Sequence, residues 1–476
     1  MKNLKILLLL NILFSTGITF SANTFIRWGS TDSPLNGLTI TWKNSGTTDQ
    51  IKWGLTNTYE KGTFTPVKRT AYTGYFFDYQ FPSMTANTTI HYQIYDSSTS
   101  TWSSDLTYHT SSSDPTTNFS FLVLGDSRTN MTVWKTVANL AKTKNSDFGL
   151  FSGDVTENSG IGTNWDSWFS SGTSLISQKT LYHCEGNHDS NVNGKETVFL
   201  SQFTMPGNKQ YYTFTYGNAV FIVLNSEVPT DATQLSWLKT TLAANVDKTW
   251  KIVMFHKPFY TIGTHAGEMD SYTSTWWKAF DDAGVDVIFT GHDHMYERSK
   301  PINLNVSTSA PVTTYGSGVG QGRCQIVCGG AGAPLYTGSI TNMIEKYSST
   351  YNFCKIAVNG STLTDSTFDS TGKLIDTFVL SKTPTGISES VVVFHQIEVI
   401  PNPNYGQFQL KYVSDLKGKI IVKIIDLNGK VIKELVTDKF ESEFKYDFSL
   451  RNLAKGLYNA EVIVKNQIDH ALFIVK

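Results

Sequence analysis

The stretch Val285-Asp286-Val287-Ile288-Phe289-Thr290-Gly291-His292-Asp293-His294 sets a compact apolar run directly against a glycine and two histidines. The same grammar recurs upstream. Phe119 to Leu124 precedes Gly125-Asp126-Ser127-Arg128, Phe148 to Phe151 precedes Gly153-Asp154-Val155-Thr156-Glu157, and Thr180 to Cys184 precedes Gly186-Asn187-His188-Asp189. Val220 to Leu224 and Lys251 to Phe255 are two further runs, the second ending at His256. Between the first two runs, Val133, Val137, Leu140 and Ala141 recur at i, i+4, i+7 and i+8, one face of an amphipathic helix; Leu235, Leu238 and Leu242, at i, i+3 and i+7, likewise share a helical face later. Strands alternating with helices predict a layered α/β domain, whose functional groups sit just past strand ends.

Five of these polar clusters carry Asp, Asn or His, and four of them contain a glycine, which permits the tight path that brings a short side chain to a shared centre. Mixed oxygen and imidazole donors suit first-row metals, whereas a soft thiolate site would need cysteines that the clusters lack. Two cations are served if one carboxylate bridges them, and such pairs sit about 3.5 to 4 Å apart.

On either side the composition changes. Residues 23–112 read as short alternating strands, among them Leu38-Thr39-Ile40-Thr41-Trp42 and Thr89 to Tyr95, punctuated by turn residues, the pattern of an all-β sandwich. The stretch from Ser111 to Asn118 has no apolar residue and reads as a linker, so the α/β domain is expected over 119–382. Over 387–476, Lys-, Ile- and Val-rich strands replace helices; Gly418 to Ile425 alternates, Asp426 to Lys430 offers an Asn-Gly hairpin turn, and a small β-sandwich is expected. At the start, Lys2 and Lys5, the apolar run Ile6 to Phe14 and small residues near Ser21 and Ala22 predict a secretory signal peptide over 1–22. A spanning anchor would need about 20 apolar residues, so no transmembrane segment is expected in the mature chain.

Of 476 residues, 39 are Lys or Arg and 40 are Asp or Glu, so the net charge of -1 gives no overall case for nucleic-acid binding. Four cysteines do not make a disulfide scaffold in a chain this long. Cys324 and Cys328 share a strand face, Cys354 in the next strand is a partner for either, and Cys184 reads as a small buried hydrophobe or, alternatively, a reactive thiol.

The order of clusters resembles the calcineurin-like metallophosphoesterases, and within them the purple acid phosphatase branch. Supporting strings are Tyr211-Tyr212-Thr213-Phe214 with Tyr216-Gly217-Asn218, His256-Lys257-Pro258-Phe259-Tyr260, and His294-Met295-Tyr296-Glu297-Arg298-Ser299. Ile51-Lys52-Trp53-Gly54 and Trp102-Ser103 are similar to the fibronectin type III-like domain that precedes the catalytic domain in that branch. The tail resembles a type A sorting domain of type IX secretion, through Pro401-Asn402-Pro403, Gly406-Gln407-Phe408 and Leu453 to Tyr458. The resemblance implies two sheets flanked by helices, and a division of ligands: Asp126 and His294 for a first metal ion, Asn187, His256 and His292 for a second, Asp154 bridging. Iron, zinc and manganese are the candidate ions. His188 would face the phosphate; His265 falls where the branch carries a substrate-contacting loop histidine, the alternative being an ordinary exposed one.

Two positions depart from the branch. A tyrosine ligand is expected three residues after the bridging aspartate, where this chain has Glu157; other metallophosphoesterases place a histidine two residues after the first aspartate, where it has Arg128. Glu157 either replaces the tyrosine as an oxygen ligand, supports a ligand from behind, or faces solvent. Arg128 is read as a phosphate clamp, its planar fork matching phosphate oxygens, against a plain surface charge.

The implied function is a secreted, surface-delivered or released phosphatase that cleaves small phosphomonoesters by attack of metal-bound hydroxide, reaching the exterior through the secretion machinery. A phosphodiesterase on the same centre and an adhesion protein with a decayed site are the alternatives. The purple colour of the branch arises from tyrosinate bound to ferric iron, so the iron-loaded protein is expected to lack an intense visible tyrosinate band; an absorbance spectrum checks this.

Overall fold

The computed structural model describes residues 24–111, 118–190, 195–307, 309–318, 320–382, 396–414, 416–426, 429–450, 453–465 and 467–476. The expected signal peptide, most of the 111–118 linker and the boundary near 387 lie outside them. The chain divides into two compact units near residue 383.

Two facing sheets form the centre of the first unit. In one, the strands Leu181–His183, Phe148–Phe151 and Asn118–Leu124 run parallel, and Asn352–Asn359, Thr362–Asp369 and Leu374–Ser381 extend the sheet antiparallel. In the other, Ala219–Val223, Trp250–Met254, Val287–Thr290 and Cys324–Cys328 are parallel neighbours, edged by Tyr212–Tyr216 on one side and by Tyr296–Ser299 and Ile344–Ser348 on the other. The expected α/β sandwich is therefore present.

The apolar runs lack alternation because both faces of each parallel strand are covered. Phe221, Val223, Ile252, Met254, Val287 and Phe289 face the other sheet, whereas Val220, Ile222, Val253, Phe255 and Ile288 face outward. The outward set is covered by Leu238 and Leu242 of the helix Ala232–Ala244 and by Phe280 of Lys278–Ala283. Between the sheets the Phe121 ring meets Phe221 edge-on at 5.2 Å and Phe289 at 6.0 Å. Burying each such ring contributes about 1.5–3 kcal/mol. The helix read from Val133, Val137, Leu140 and Ala141 spans Met131–Thr143, capped by the Asn130 side chain, which accepts from the Val133 N–H at 3.2 Å. It packs with Gly162–Ile176, a Trp-rich helix that the sequence spacing did not predict.

Residues 24–111 form two sheets around one core containing Trp28, Trp42, Trp53, Ile90 and Tyr92. This β-sandwich does not stand apart from the α/β layers. Trp28 Nε1 donates to Ser177 O at 3.1 Å, Arg27 Nε to Gln202 O at 2.5 Å, and Tyr108 and Thr180 hydroxyls lie 2.9 Å apart. The second unit is itself two sheets around a core of Phe408, Leu410, Val422, Ile424, Val462 and Phe473. Its hairpin strands Gly418–Asp426 and Val431–Lys439 pair as expected, with Gly429 at φ +80° in the turn; Leu427 and Asn428 lie outside the described residues. No helix among the described residues is long and apolar enough to cross a membrane.

All four cysteines are buried free thiols, so neither pairing considered for Cys354 is formed. Cys328 lies in one sheet and Cys354 in the other, and Cys328 Sγ instead contacts Val123 O and Asn352 Oδ1, each at 3.3 Å.

A buried polar bridge closes the seam between the sheets. The Tyr296 hydroxyl donates to Asp376 Oδ2 at 2.8 Å and lies 3.3 Å from Asp365 Oδ2, while Arg298 Nε donates to Asp376 at 2.8 Å. Burial pushes the Asp365 carboxyl up to about 7. Because its folded value lies above its unfolded one, its contribution to stability is complete below about pH 4 and is lost as pH rises towards 7, by at most about 1.4 kcal/mol per pH unit. Urea unfolding at pH 5 and 8 should show a smaller difference for Asp365→Asn than for the parent chain. A chain ending at Lys382 is expected to fold with an unchanged melting transition of its own, since the division falls there; calorimetry of both chains checks it.

Candidate metal centre

Every parallel strand that ends in a candidate cluster delivers its donor within four residues of its C-terminal edge. Asp126 lies two residues past Leu124, Asp154 three past Phe151, Asn187 four past His183, His256 two past Met254, and His292 and His294 two and four past Thr290. Asp126, Asp154 and His292 all adopt left-handed backbone, at φ +56°, +52° and +69°. Non-glycine residues rarely do so, and this strain is held by the packed strands beneath. The glycines make room: a Cβ on Gly186 would lie 2.3 Å from Asp154 Oδ1, and one on Gly291 would lie 2.3 Å from Asp126 Oδ2.

Among the described residues three groups of donor atoms converge, each within 4.8 Å: Asp154 with His256 and His292, Asp126 with Asp154 and His294, and, less buried, His265 with Glu268 and His292. In the first, His256 Nε2 lies 3.1 Å from His292 Nδ1, 3.1 Å from Asn187 Oδ1 and 3.4 Å from Asp154 Oδ1. The other nitrogen of each histidine has a fixed partner. His256 Nδ1 donates to Ser152 O at 2.7 Å, and His292 Nε2 donates to Glu268 Oε2 at 3.2 Å. Two imidazole nitrogens therefore face one another and two oxygens, an arrangement that a cation stabilises. Burial and the neighbouring His256 push His292 well below the usual imidazole range, favouring the neutral ligand form. This donor set fits a first-row ion.

The second group differs. His294 Nδ1 donates to Pro334 O at 2.7 Å and burial lowers the ring to about 4, so its Nε2 also carries a lone pair, 3.7 Å from Asp126 Oδ1. Burial and the charge of Asp154 push the Asp126 carboxyl far up, although the His292 N–H donates to both its oxygens at 3.1 and 3.0 Å. Into this group reaches Arg128. Its Nε lies 3.3 Å from Asp154 Oδ2 and its Nη2 3.4 Å from His294 Nε2. Glu157 joins none of these groups: its Oε2 accepts from Arg128 Nη1 at 2.9 Å and from Thr129 Oγ1 at 2.5 Å, with the carboxylate half-exposed.

His188 and His265 border the centre. His188 Nδ1 donates to Glu157 O at 2.7 Å, leaving Nε2 3.9 Å from Asp154 Oδ2. The His265 ring stacks on His292 at 3.7 Å and its Nδ1 donates to Asp293 Oδ1 at 2.9 Å, a bond that raises its pKa. Four contributors escaped the sequence reading. Asp189, accepting from the Val155 and Gly186 N–H groups at 3.2 Å, and Asp293 sit inside motifs already singled out; Glu268 and Tyr336, whose ring stacks on His294 at 4.2 Å, come from loops with no strand-end signal.

Residues 119–296 match the calcineurin-like phosphoesterase family, and residues 398–476 match the secretion system C-terminal sorting domain. Purple acid phosphatase 15 of Arabidopsis thaliana is 31% identical over 164 residues, covering 31% of each chain. Purple acid phosphatase 22 of the same plant is 30% identical over 203 residues, 39% of this chain and 46% of the relative. Phosphoenolpyruvate phosphatase of Allium cepa is 28% identical over 210 residues, 40% of this chain and 44% of the relative. The matches thus span less than half the length of these relatives. Among solved structures, a purple acid phosphatase from yellow lupin (Lupinus luteus) seeds superposes with a TM-score of 0.64 at 18% identity, over 76% of this chain and 74% of that one. The central domain belongs to the calcineurin-like metallophosphoesterases, with purple acid phosphatases as its homologues. The sorting domain marks the chain for secretion or cell-surface export.

Since the Gly186 position leaves no room for a methyl group beside Asp154, Gly186→Ala is expected to weaken metal binding about 10- to 100-fold, the usual cost of disturbing a ligand's support. Titration with Zn2+ or Mn2+, alongside a circular dichroism check of the fold, measures it.

Proposed function

We propose that this chain is an exported, metal-dependent hydrolase of phosphate monoesters. The observation that carries the reading is the convergence of His256 Nε2, His292 Nδ1, Asn187 Oδ1 and Asp154 Oδ1 in a chain whose central domain belongs to a phosphoesterase family. These four residues would hold an ion in the second position; Asp126, Asp154 and His294 make up the group that the family uses for the first. Iron, zinc and manganese all suit the second set. A bound ion supplies Lewis acidity, polarising the phosphoryl group and activating water near neutral pH.

The chain's own residues do the rest. Arg128, whose buried Nε lies 3.3 Å from Asp154 Oδ2 but makes no hydrogen bond within the chain, is placed to receive a phosphoryl oxygen. His188, oriented through Nδ1 by the Glu157 carbonyl, turns Nε2 towards the phosphate and the leaving group. His265 is kept protonated to higher pH by Asp293 and is suited to hand a proton to the departing oxygen. The four donors that converge around His256 and His292 argue against a decayed adhesion protein. The N-terminal sandwich is read as the fibronectin type III-like domain of this architecture, and the C-terminal domain as the handle for the secretion machinery.

Turnover of 4-nitrophenyl phosphate, bis(4-nitrophenyl) phosphate and phosphoenolpyruvate by metal-loaded protein tests the reading, the last prompted by the onion relative. Faster hydrolysis of the monoesters supports it; preference for the diester assigns a phosphodiesterase instead, and no turnover of any ester overturns both. Asp154→Ala and His292→Ala should each abolish turnover together with bound metal. His188→Ala should lower kcat about 10²- to 10³-fold with metal content unchanged.

A further inference from the structure

We propose that the guanidinium of Arg128 takes the place of one of the two cations, so that the centre works with a single tightly bound ion, held by Asn187, His256, His292 and Asp154. This deepens the phosphohydrolase reading and rests on it.

The geometry of the Asp126, Asp154 and His294 group carries the inference. Arg128 follows Asp126 by two residues, and its side chain, 13% exposed, turns inward rather than to solvent. It presents nitrogens at 3.3 Å to Asp154 Oδ2 and at 3.4 Å to His294 Nε2, two of the three donors that a first ion would use. An ion in that position would need the same atoms at about 2.0–2.2 Å. It would then share them with a fixed positive charge, because an arginine does not deprotonate in proteins. No such obstacle exists around His256, where the groups that face each other are lone pairs and carboxylate or amide oxygens.

Two further observations agree. Arg128 is held from behind: Nη1 donates to Glu157 Oε2 at 2.9 Å, and Thr129 Oγ1 donates to the same oxygen at 2.5 Å. Glu157 is thereby the counter-ion that aims the guanidinium and not a donor to metal. The arginine is also flanked by two carboxylates, with Nε 3.3 Å from Asp154 Oδ2 and Nη1 2.9 Å from Glu157 Oε2. Both residues at which this chain departs from the family pattern, Arg128 and Glu157, thus enter one ion pair. The Nε–H, although 3.3 Å from Asp154 Oδ2, makes no hydrogen bond within the chain and is available to a phosphoryl oxygen.

The test counts and locates ions. The full-length protein is loaded with excess Mn2+ or Zn2+, desalted, and its metal content measured by plasma mass spectrometry; crystals of the Zn2+ form are examined by anomalous diffraction, and the Mn2+ form by electron paramagnetic resonance. The expected result is about one ion per chain, located at His256 and His292, with the signal of an isolated Mn2+. Arg128→His, which exchanges the guanidinium for an imidazole donor, should raise the content to about two and give a spin-coupled Mn2+ signal. Two tightly bound ions in the parent chain, or an ion at Asp126 and His294 with His256 empty, would overturn the proposal, and this measurement stands whether or not the variant folds. The functional reading fails separately: a one-ion protein that hydrolyses no phosphate ester refutes the activity and leaves the stoichiometry standing.

Discussion

Asp154 is the carboxylate on which the centre turns. It is buried, its backbone is left-handed, and it belongs to two of the donor groups. Such a residue persists only where the surroundings over-determine it. Here they are the last residues of five parallel strands drawn from two sheets, whose facing Phe rings fix the separation of the strand ends. The His188 N–H donating to Asp154 Oδ1 at 2.9 Å, and the absence of a side chain at Gly186, complete the seat.

Around that seat, second partners matter as much as donors. Each histidine of the centre is turned by a bond at its far nitrogen: His256 by the Ser152 carbonyl, His292 by Glu268, His294 by the Pro334 carbonyl. These bonds select the tautomer, and burial keeps His292 and His294 neutral, so the free lone pairs point inward. Arg128 and Glu157 follow a different logic. Paired with each other, they bring a permanent charge beside the Asp126, Asp154 and His294 donors.

The rest of the first unit supports this arrangement mechanically. The N-terminal sandwich docks on the α/β layers through Arg27, Trp28 and Tyr108, and the Tyr296–Asp376–Arg298 bridge ties the two sheets at their seam. The sorting unit is built on its own core, which fits a role in export separate from chemistry. The buried thiols of Cys184, Cys324, Cys328 and Cys354 act as packing groups.

Much of this was legible along the chain because strand-end geometry is local. An apolar run followed within four residues by Gly and Asp, Asn or His states both the strand and the direction in which its donor leaves, and the runs at Phe148 and Val220 match observed strands to within a residue. Neutral composition and the Lys-, Ile- and Val-rich tail likewise marked the domain classes without any coordinates. Pairing was not legible. That Asn352–Asn359 extends the first sheet antiparallel, that Cys328 and Cys354 lie in different sheets, and that the 24–111 sandwich merges with the α/β layers depend on contacts between residues far apart in sequence. Arg128 and Glu157 show the limit most plainly. The residue types and spacing left a ligand, a clamp and a surface charge all open, and only the fold, by closing 29 residues of chain into one salt bridge, decided that each is the other's partner.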